Sequence, residues 1–136
     1  MIKSSYIRLF CILGLIFLSH TVSSAVHEVR EGGSIQTAVT QAQSGDVIRV
    51  FPGTYHETVY VDKDDISLIG VVEDGQWPHL DGQKILNDAI LYSGNGFSVE
   101  WFKITHYKGN AIMGQSGNNF SIRNNWVIDT GLYGIF

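Results

Sequence analysis

The chain has 136 residues, a formal net charge of −4 and an apolar content of 44%, and this length allows one ordinary domain but not two. Acidic residues outnumber basic ones by 13 to 9 without a basic stripe, which argues against nucleic acid as a partner. The single cysteine, Cys11, excludes an internal disulfide framework.

A secretory signal is predicted over residues 1–25. A basic start precedes the apolar run Leu9–Leu18, and Ser23–Ala25 supplies small residues where a signal peptidase cuts. A membrane anchor is the alternative, although ten apolar residues are short for a span that needs roughly 20. We therefore expect cleavage after Ala25 and a secreted or periplasmic product that is not an integral membrane protein. Seven of the nine basic residues and all 13 acidic ones would remain, for a net charge of −6.

The mature part, residues 26–136, opens with a short strand and one helix. Val26–Val29 alternates in polarity and predicts the strand. Ser34 is a suitable N-cap, and Gly45 is a suitable stop. Between them, four apolar residues recur on one helical face: Ile35, Ala38, Val39 and Ala42. The pattern predicts an amphipathic helix of about ten residues, and nothing else in the mature chain is expected to be helical.

Strands and turns are predicted from Asp46 onward. Turns are expected at Pro52–Gly53 and Asp62–Asp65, and a loop at Val72–Pro78. The segments between them alternate in polarity or are apolar, as strands do. The predicted strands are residues 47–51, 54–61, 66–71, 79–83 and 89–96.

An internal repeat ends the chain: residues 96–113 align with residues 119–136 at a shift of 23. The apolar positions that match are Phe97 with Phe120, Val99 with Ile122, Ile104 with Val127, and Ile112 with Ile135. A period of 20–25 residues with Asn and Gly at the corners predicts a solenoid of stacked rungs. Phe120, Ile122 and Val127 should then point inward, and Asn124-Asn125 should turn a corner while bonding to adjacent rungs.

Two segments resemble a known superfamily. Ser34–Gly70, SIQTAVTQAQSGDVIRVFPGTYHETVYVDKDDISLIG, resembles the opening of right-handed parallel β-helix proteins of the pectin-lyase-like superfamily, and Asn95–Phe136 resembles their generic repeats. The resemblance covers nearly all of residues 27–136. It implies an all-β, right-handed parallel β-helix of about four rungs with an N-terminal capping helix, and an exported location.

The resemblance also implies a class of function. Members that act on uronate polysaccharides use a base to remove the proton next to the carboxylate while a cation stabilises the enolate. We therefore expect an exported protein that binds or processes uronate-type polysaccharide, in the manner of a lyase or epimerase. The alternative is a non-catalytic β-helix that serves as a binding or scaffold protein of the periplasm or cell surface. The Asp-Pro-His-Asp stretch of alginate epimerases of this fold is absent from the sequence.

Candidate site residues cluster near one predicted strand end. The catalytic candidates are His106, Tyr107 and Lys108, and the 23-residue shift places Asp129 under His106. The candidates for glycan binding are Lys103, Arg123, Asp129 and Trp77. Polar decoration of a solvated solenoid face is the commoner explanation of such a cluster, and Trp77 could instead pack under its loop.

Metal and cofactor signals are sparse. The carboxylates of Asp62, Asp64 and Asp65 could bind Ca²⁺, which takes six to eight oxygen ligands, but such turns are more often solvated loops. No zinc spacing, Ser/His/Asp set or phosphate loop is present in the sequence, so no other cofactor is expected. His56 and Glu57 adjoin within GTYHE, a stretch expected to be structural.

The length also bears on function. Four rungs are few for a groove that holds several sugar units, and the repeat breaks off at Phe136. We expect the chain to be the N-terminal part of a longer reading frame and to be inactive alone. If 136 residues are the full length, the uncapped last rung should drive end-to-end self-association.

Overall fold

The computed structural model describes residues 23–136, so most of the predicted signal lies outside the described residues. One helix and twelve short strands make up this part of the chain. They are β1 (Val26–Val29), α1 (Ile35–Gln41), β2 (Val47–Val50), β3 (Gly53–Tyr55), β4 (Val59–Val61), β5 (Ser67–Gly70), β6 (Pro78–Asp81), β7 (Ile90–Tyr92), β8 (Ser98–Glu100), β9 (Lys103–Thr105), β10 (Ile112–Gly114), β11 (Ser121–Arg123) and β12 (Trp126–Ile128).

The strands stack into three parallel sheets. Sheet 1 has the order β1-β2-β5-β8-β11, sheet 2 the order β3-β6-β9-β12, and sheet 3 the order β4-β7-β10. Rung 1 comprises β2 to β4, rung 2 β5 to β7, rung 3 β8 to β10, and rung 4 starts with β11. Rung 4 reaches sheet 3 through Ile135, which bridges Ile112. The predicted parallel solenoid of about four rungs is confirmed.

The core is a set of apolar columns, one inside each sheet. Strand alternation turns every second side chain inward, and the parallel register stacks these side chains on one another. The columns are Ile48-Leu68-Val99 in sheet 1, Tyr55-Leu80-Ile104 in sheet 2, and Val59-Ile90-Ile112 in sheet 3. All nine side chains are buried, and burying each contributes roughly 1.5–3 kcal/mol.

The 23-residue repeat is confirmed in the pairing of rungs 3 and 4. Val99 pairs with Ile122, and Ile104 pairs with Val127. Ile122 and Val127 pack against the core. Phe120 differs from the prediction: it lies in rung 4, and 54% of it is exposed.

The predicted corner forms at Asn124-Asn125, but both side-chain hydrogen bonds of Asn125 go to rung 3 and not to rungs on both sides. Asn124 has the left-handed φ of 54°, which asparagine tolerates better than most residues. The Asn125 Oδ1 accepts a hydrogen bond from the Phe102 N–H at 3.0 Å, and its Nδ2 donates to the Val99 carbonyl at 3.1 Å. The side chain of Asn125 therefore joins two rungs at the corner.

Rung 2 is larger than the repeat predicts. Ser67 pairs with Ser98, a spacing of 31 residues, whereas Ser98 pairs with Ser121. The extra residues lie in loops 71–77 and 82–89, on either side of β6. The prediction of a single strand over residues 54–61 in rung 1 is wrong. These residues belong to two strands with a corner between them.

The helix is shorter than predicted. It spans seven residues and ends at Gln41, because Ala42 adopts an extended conformation with φ −65° and ψ 156°. Gly45, the predicted stop, lies in the following turn with a φ of 90°. The N-cap is as predicted, since the Ser34 side chain accepts a hydrogen bond from the Thr37 N–H. The predicted apolar face is also buried, within the same core as the strands.

Charged side chains of rung 1 bind both ends of α1. The Glu57 carboxylate accepts hydrogen bonds from the backbone N–H of Ile35 at 2.8 Å and of Gln36 at 3.0 Å. At the other end, the Lys63 Nζ donates to three backbone carbonyls at 2.6–2.9 Å, those of Val39, Thr40 and Ala42. Each charge complements the helix dipole and satisfies end groups that have no partner within the helix.

Candidate functional site

The outer face of sheet 2 carries a column of polar and aromatic side chains. Thr54, His79, Lys103 and Trp126 are register partners in four successive rungs. They alternate along their strands with the inward column that contains Leu80 and Ile104, so they lie on the outer face. The 23-residue repeat predicts one pair of this column, because it places Trp126 beneath Lys103.

A small hairpin in loop 71–77 brings a further aromatic side chain to this face. The backbone groups of Glu73 and Gln76 pair with each other at 3.1 and 2.7 Å, and Asp74 and Gly75 between them have positive φ angles of 50° and 75°. An Asp-Gly pair with two positive φ angles is the preferred two-residue hairpin turn. The hairpin positions Trp77 immediately before β6.

The column and the hairpin enclose an open cleft of about 380 Å³. Its lining consists of Glu31, the turn Pro52–Thr54, residues 75–77, His79, Lys103 and Trp126. The volume is within the range of small-ligand sites, and the lining mixes aromatic surface with a few charged groups, as such sites do.

Two aromatic rings, those of Trp77 and Trp126, line the cleft, and the ring of Trp101 lies beside Trp77. The ring centroid of Trp77 lies 6.3 Å from that of Trp126, at an edge-on angle of 72°, and 5.8 Å from that of Trp101. The Lys103 Nζ lies 5.5 Å from the centre of the Trp126 ring, within cation–π range. Flat apolar rings and a cation are therefore available to the same ligand.

A network of polar side-chain contacts lies beside the cleft. The Thr105 Oγ1 lies 2.8 Å from the His79 Nε2 and 3.0 Å from the His106 Nδ1. The same His106 nitrogen lies 3.0 Å from the Asp81 Oδ1, and the His106 Nε2 lies 3.7 Å from the Asp129 Oδ2. Thr105 is buried beneath these groups, so the accessible members of the network are the two imidazoles and the carboxylates.

Two of these groups have shifted pKa values. Burial lowers the pKa of His79 below its ordinary value, and the positive charge of Lys103 lowers it further. Burial acts to raise the pKa of Asp81, but hydrogen bonds from the Gln83 backbone N–H and the His106 side chain outweigh it and leave that pKa below its ordinary value. At neutral pH the face therefore has an uncharged His79 and an ionised Asp81.

The structure brings together four of the predicted site residues, Trp77, Lys103, His106 and Asp129, on or beside the outer face of sheet 2. Asp129 lies under His106, as the repeat predicts. The backbone N–H of His106 donates a hydrogen bond to the backbone carbonyl of Asp129 at 3.1 Å. Lys84, from loop 82–89, also approaches Asp129, with its Nζ 3.2 Å from the Oδ2.

The other candidates lie elsewhere. Tyr107 is buried, its hydroxyl donates to the Glu57 carbonyl at 2.6 Å, and burial raises its pKa well above the ordinary value. Lys108 is exposed at the rim of a shallow depression near Asp129. Arg123 extends from sheet 1, where its Nη2 lies 3.5 Å from the Glu100 Oε2.

The aspartates of the Asp62–Asp65 turn do not converge. The Asp64 Oδ1 accepts hydrogen bonds from the Asn95 N–H at 2.7 Å and from its Nδ2 at 3.2 Å, while Asp65 occupies a left-handed corner with a φ of 56°. Within residues 23–136, no three His, Cys, Asp or Glu side chains are arranged to hold a metal ion.

Sequence reasoning missed His79, Asp81, Trp101 and Trp126. Two signals could have indicated them. The alternation in HLD places His79 and Asp81 on the face opposite the buried Leu80, and the repeat places Trp126 below Lys103. No sequence signal places Trp101 near the site, because its position there depends on the contact between its ring and that of Trp77.

Comparisons with known proteins assign no relative. No family model, no curated protein and no solved structure matches this chain. In the part of the chain that the structure describes, no helix is long and apolar enough to cross a membrane.

Proposed function

We propose that this chain is an exported, right-handed β-helix protein of the pectin-lyase-like kind that binds an acidic, uronate-type polysaccharide. The observation that carries the proposal is the cleft on sheet 2, where Trp77 and Trp126 lie beside Lys103. Tryptophan rings offer flat surface to the apolar face of a sugar ring, and an ammonium group pairs with a carboxylate. Parallel strands joined by crossovers are almost always right-handed, which supports the handedness.

The contacts of α1 support the capping part of the proposal. The Gln36 side chain pairs with the free edge of β4, since its Oε1 accepts from the Tyr60 N–H at 2.6 Å and its Nε2 donates to the Tyr60 carbonyl at 3.3 Å. Covered edges prevent further strand pairing. The helix thus protects the N-terminal end of the solenoid.

Processing of the glycan would use the hydrogen-bonded pair of Asp81 and His106. Asp81 and Thr105 engage the Nδ1 of His106, and the Nε2, which lies 3.7 Å from the Asp129 Oδ2, would accept the proton next to the uronate carboxylate. Lys103 would stabilise the negative charge that develops on that carboxylate. Transfer of this proton from His106 to the departing glycosidic oxygen, as its bond to the sugar ring breaks, would complete a lyase reaction, and delivery of a proton to the opposite face of the ring would complete an epimerase reaction.

A binding experiment tests the proposal directly. Isothermal titration with alginate, pectate and heparin-type oligosaccharides should show binding, and the double variant W77A/W126A should abolish it. The matched control is Y60A, which removes an exposed aromatic side chain from sheet 3. Binding that survives the double variant would overturn the placement of the site, and failure of every acidic glycan to bind would overturn the proposed function.

Turnover is measured separately on the same samples. Formation of unsaturated products, followed by ultraviolet absorbance with and without added Ca²⁺, would identify a lyase. Exchange of the uronate proton with solvent, followed by NMR, would identify an epimerase. Loss of either signal in H106N, with binding intact, would assign the base.

A scaffold role is the second candidate, and the exposed apolar residues of rung 4 favour it. Leu132, Tyr133, Ile135 and Phe136 are each more than half exposed, and neighbouring apolar residues of this kind often mark an interface. End-to-end association through this rung predicts a sedimentation coefficient that rises with protein concentration. A concentration-independent monomer would contradict it.

A further inference from the structure

The backbone of Trp101 has an unusual conformation. Its φ is 67°, in the left-handed region that bulky residues rarely occupy. Its equivalent one rung below, 23 residues later, is Asn124 with a φ of 54°, a residue type that tolerates this region. The same corner is therefore occupied in rung 4 by a residue suited to it and in rung 3 by one that is not.

The indole at this corner is not part of the buried core. Trp101 is 39% exposed, whereas the next residue, Phe102, is fully buried and fills the core. The Trp101 carbonyl lies so close to Gly70 that a Cβ there would collide with it, but this contact involves only backbone atoms of Trp101. Strain of this kind is concentrated at functional sites, which points to a role for the exposed ring.

The position of the ring indicates that role. All three tryptophans of the chain lie in one cluster, and Trp77 is at its centre, 5.8 Å from Trp101 and 6.3 Å from Trp126. They belong to rungs 2, 3 and 4, which are about 4.8 Å apart along the solenoid axis. Trp101 borders a second depression, with Gly70 and Val72, of about 190 Å³, and its contact with the Trp77 ring links this depression to the cleft.

We propose that Trp101 is a ligand-contacting residue that extends the cleft into an aromatic platform, so that the protein binds a chain of sugars and not a single unit. This inference rests on the proposed function and specifies its ligand. One part of the chain stacks in the cleft, where Lys103 pairs with a carboxylate, and a neighbouring part stacks on Trp101. The bound glycan therefore spans more than one rung.

The test is a series of acidic oligosaccharides of increasing length, titrated into the wild type, W101N and W101F. Wild-type affinity should rise with length until the chain covers both depressions. W101N, which places at this corner the residue type of rung 4, should lose about tenfold in affinity for the long oligosaccharides, as when one aromatic anchor is removed from an interface. Its affinity for the shortest ligands should be unchanged, and W101F should retain most of the length dependence.

Thermal unfolding of the same variants separates a binding role from a structural one. W101N should unfold at or above the wild-type temperature, because asparagine relieves the backbone strain. Retention of the full length dependence by W101N would overturn the inference, as would a large fall in unfolding temperature with equal loss of affinity at every length. If W101N behaves as wild type while W77A/W126A abolishes binding, the inference fails and the proposed function stands. If the wild type binds no acidic glycan, the proposed function fails with it.

Discussion

Glu57 of rung 1 caps α1 through Ile35, whose backbone N–H donates to the Glu57 Oε1 at 2.8 Å across 22 residues of sequence. The second carboxylate oxygen accepts from the Gln36 N–H and from the Ser34 hydroxyl at 2.9 Å. A helix of seven residues is unstable alone, so contacts of this kind hold it against the first rung.

Replacing Glu57 with Gln should therefore destabilise the protein. The change keeps the shape of the side chain but removes its negative charge from the helix N-terminus, and we expect a loss of about 1–2 kcal/mol in the free energy of unfolding. Urea denaturation followed by circular dichroism measures it. E73Q, in the exposed hairpin, is the control, and equal stability of the two variants would contradict the capping role.

Asp46 should make stability depend on pH in the acid range. In the chain that retains Ala25, hydrogen bonds from the Gln43 backbone N–H, the His27 side chain and the Ala25 backbone N–H lower its pKa from 3.8 to about 2. Because the folded-state pKa lies below the unfolded value, the ionised carboxylate stabilises the fold above about pH 4. This contribution disappears as the pH falls through about 2.

The variant D46N tests that contribution. It should be less stable than the wild type at neutral pH, and its unfolding temperature should change less between about pH 4 and pH 2. D62N, at an exposed turn, should keep the wild-type profile. A D46N profile as steep as that of the wild type would assign the acid sensitivity to another carboxylate.

Asn125 should stabilise the corner between rungs 3 and 4. N125A removes the acceptor of the Phe102 N–H and the donor to the Val99 carbonyl, which should lower the free energy of unfolding by about 1–3 kcal/mol. Hydrogen exchange of the Phe102 amide should also accelerate. N118A, at an exposed asparagine, is the control, and an unchanged exchange rate at Phe102 would show that the corner holds without Asn125.

Lys103 should contribute charge to glycan binding. K103M keeps the length of the side chain but removes its ammonium group, so affinity for acidic oligosaccharides should fall by about tenfold, as expected for a hydrogen bond to a charged group. The salt dependence of binding should weaken as well. K108M, in which an exposed lysine outside the cleft is replaced, should bind as the wild type does, and equal effects of the two changes would indicate a nonspecific charge effect.

Much of the fold could be predicted from the sequence. The pairing of Ile104 with Val127 and the corner at Asn124-Asn125 follow from the 23-residue shift, because stacked rungs repeat inward side chains and corner residues at one period. The helix was predicted too long, since its end depends on the extended backbone at Ala42 and on rung 1. Neither the conformation of Ala42 nor the packing of the helix against rung 1 can be predicted from the local sequence.

The site was predicted only in part. His106 and Asp129 could be placed together because both lie inside the repeat. Trp77 and His79 could not be related to Lys103 in the same way, because β6 pairs with β9 at a spacing of 24 residues and not 23, and loop 71–77 separates β6 from the β5 pattern that precedes it. The repeat therefore predicts the residues of this face in rungs 3 and 4 but not those in rung 2.

By itself, the sequence determined the parallel solenoid, the position of the helix and the corner of the repeat, since each depends on side-chain periodicity or local backbone preference. Only the tertiary structure decided which outward residues share a surface. The register of β6 against β9 aligns His79 with Lys103, and the hairpin brings Trp77 to Trp101 and Trp126. These contacts join three rungs, and their geometry depends on loop lengths and stacking, which no local pattern encodes.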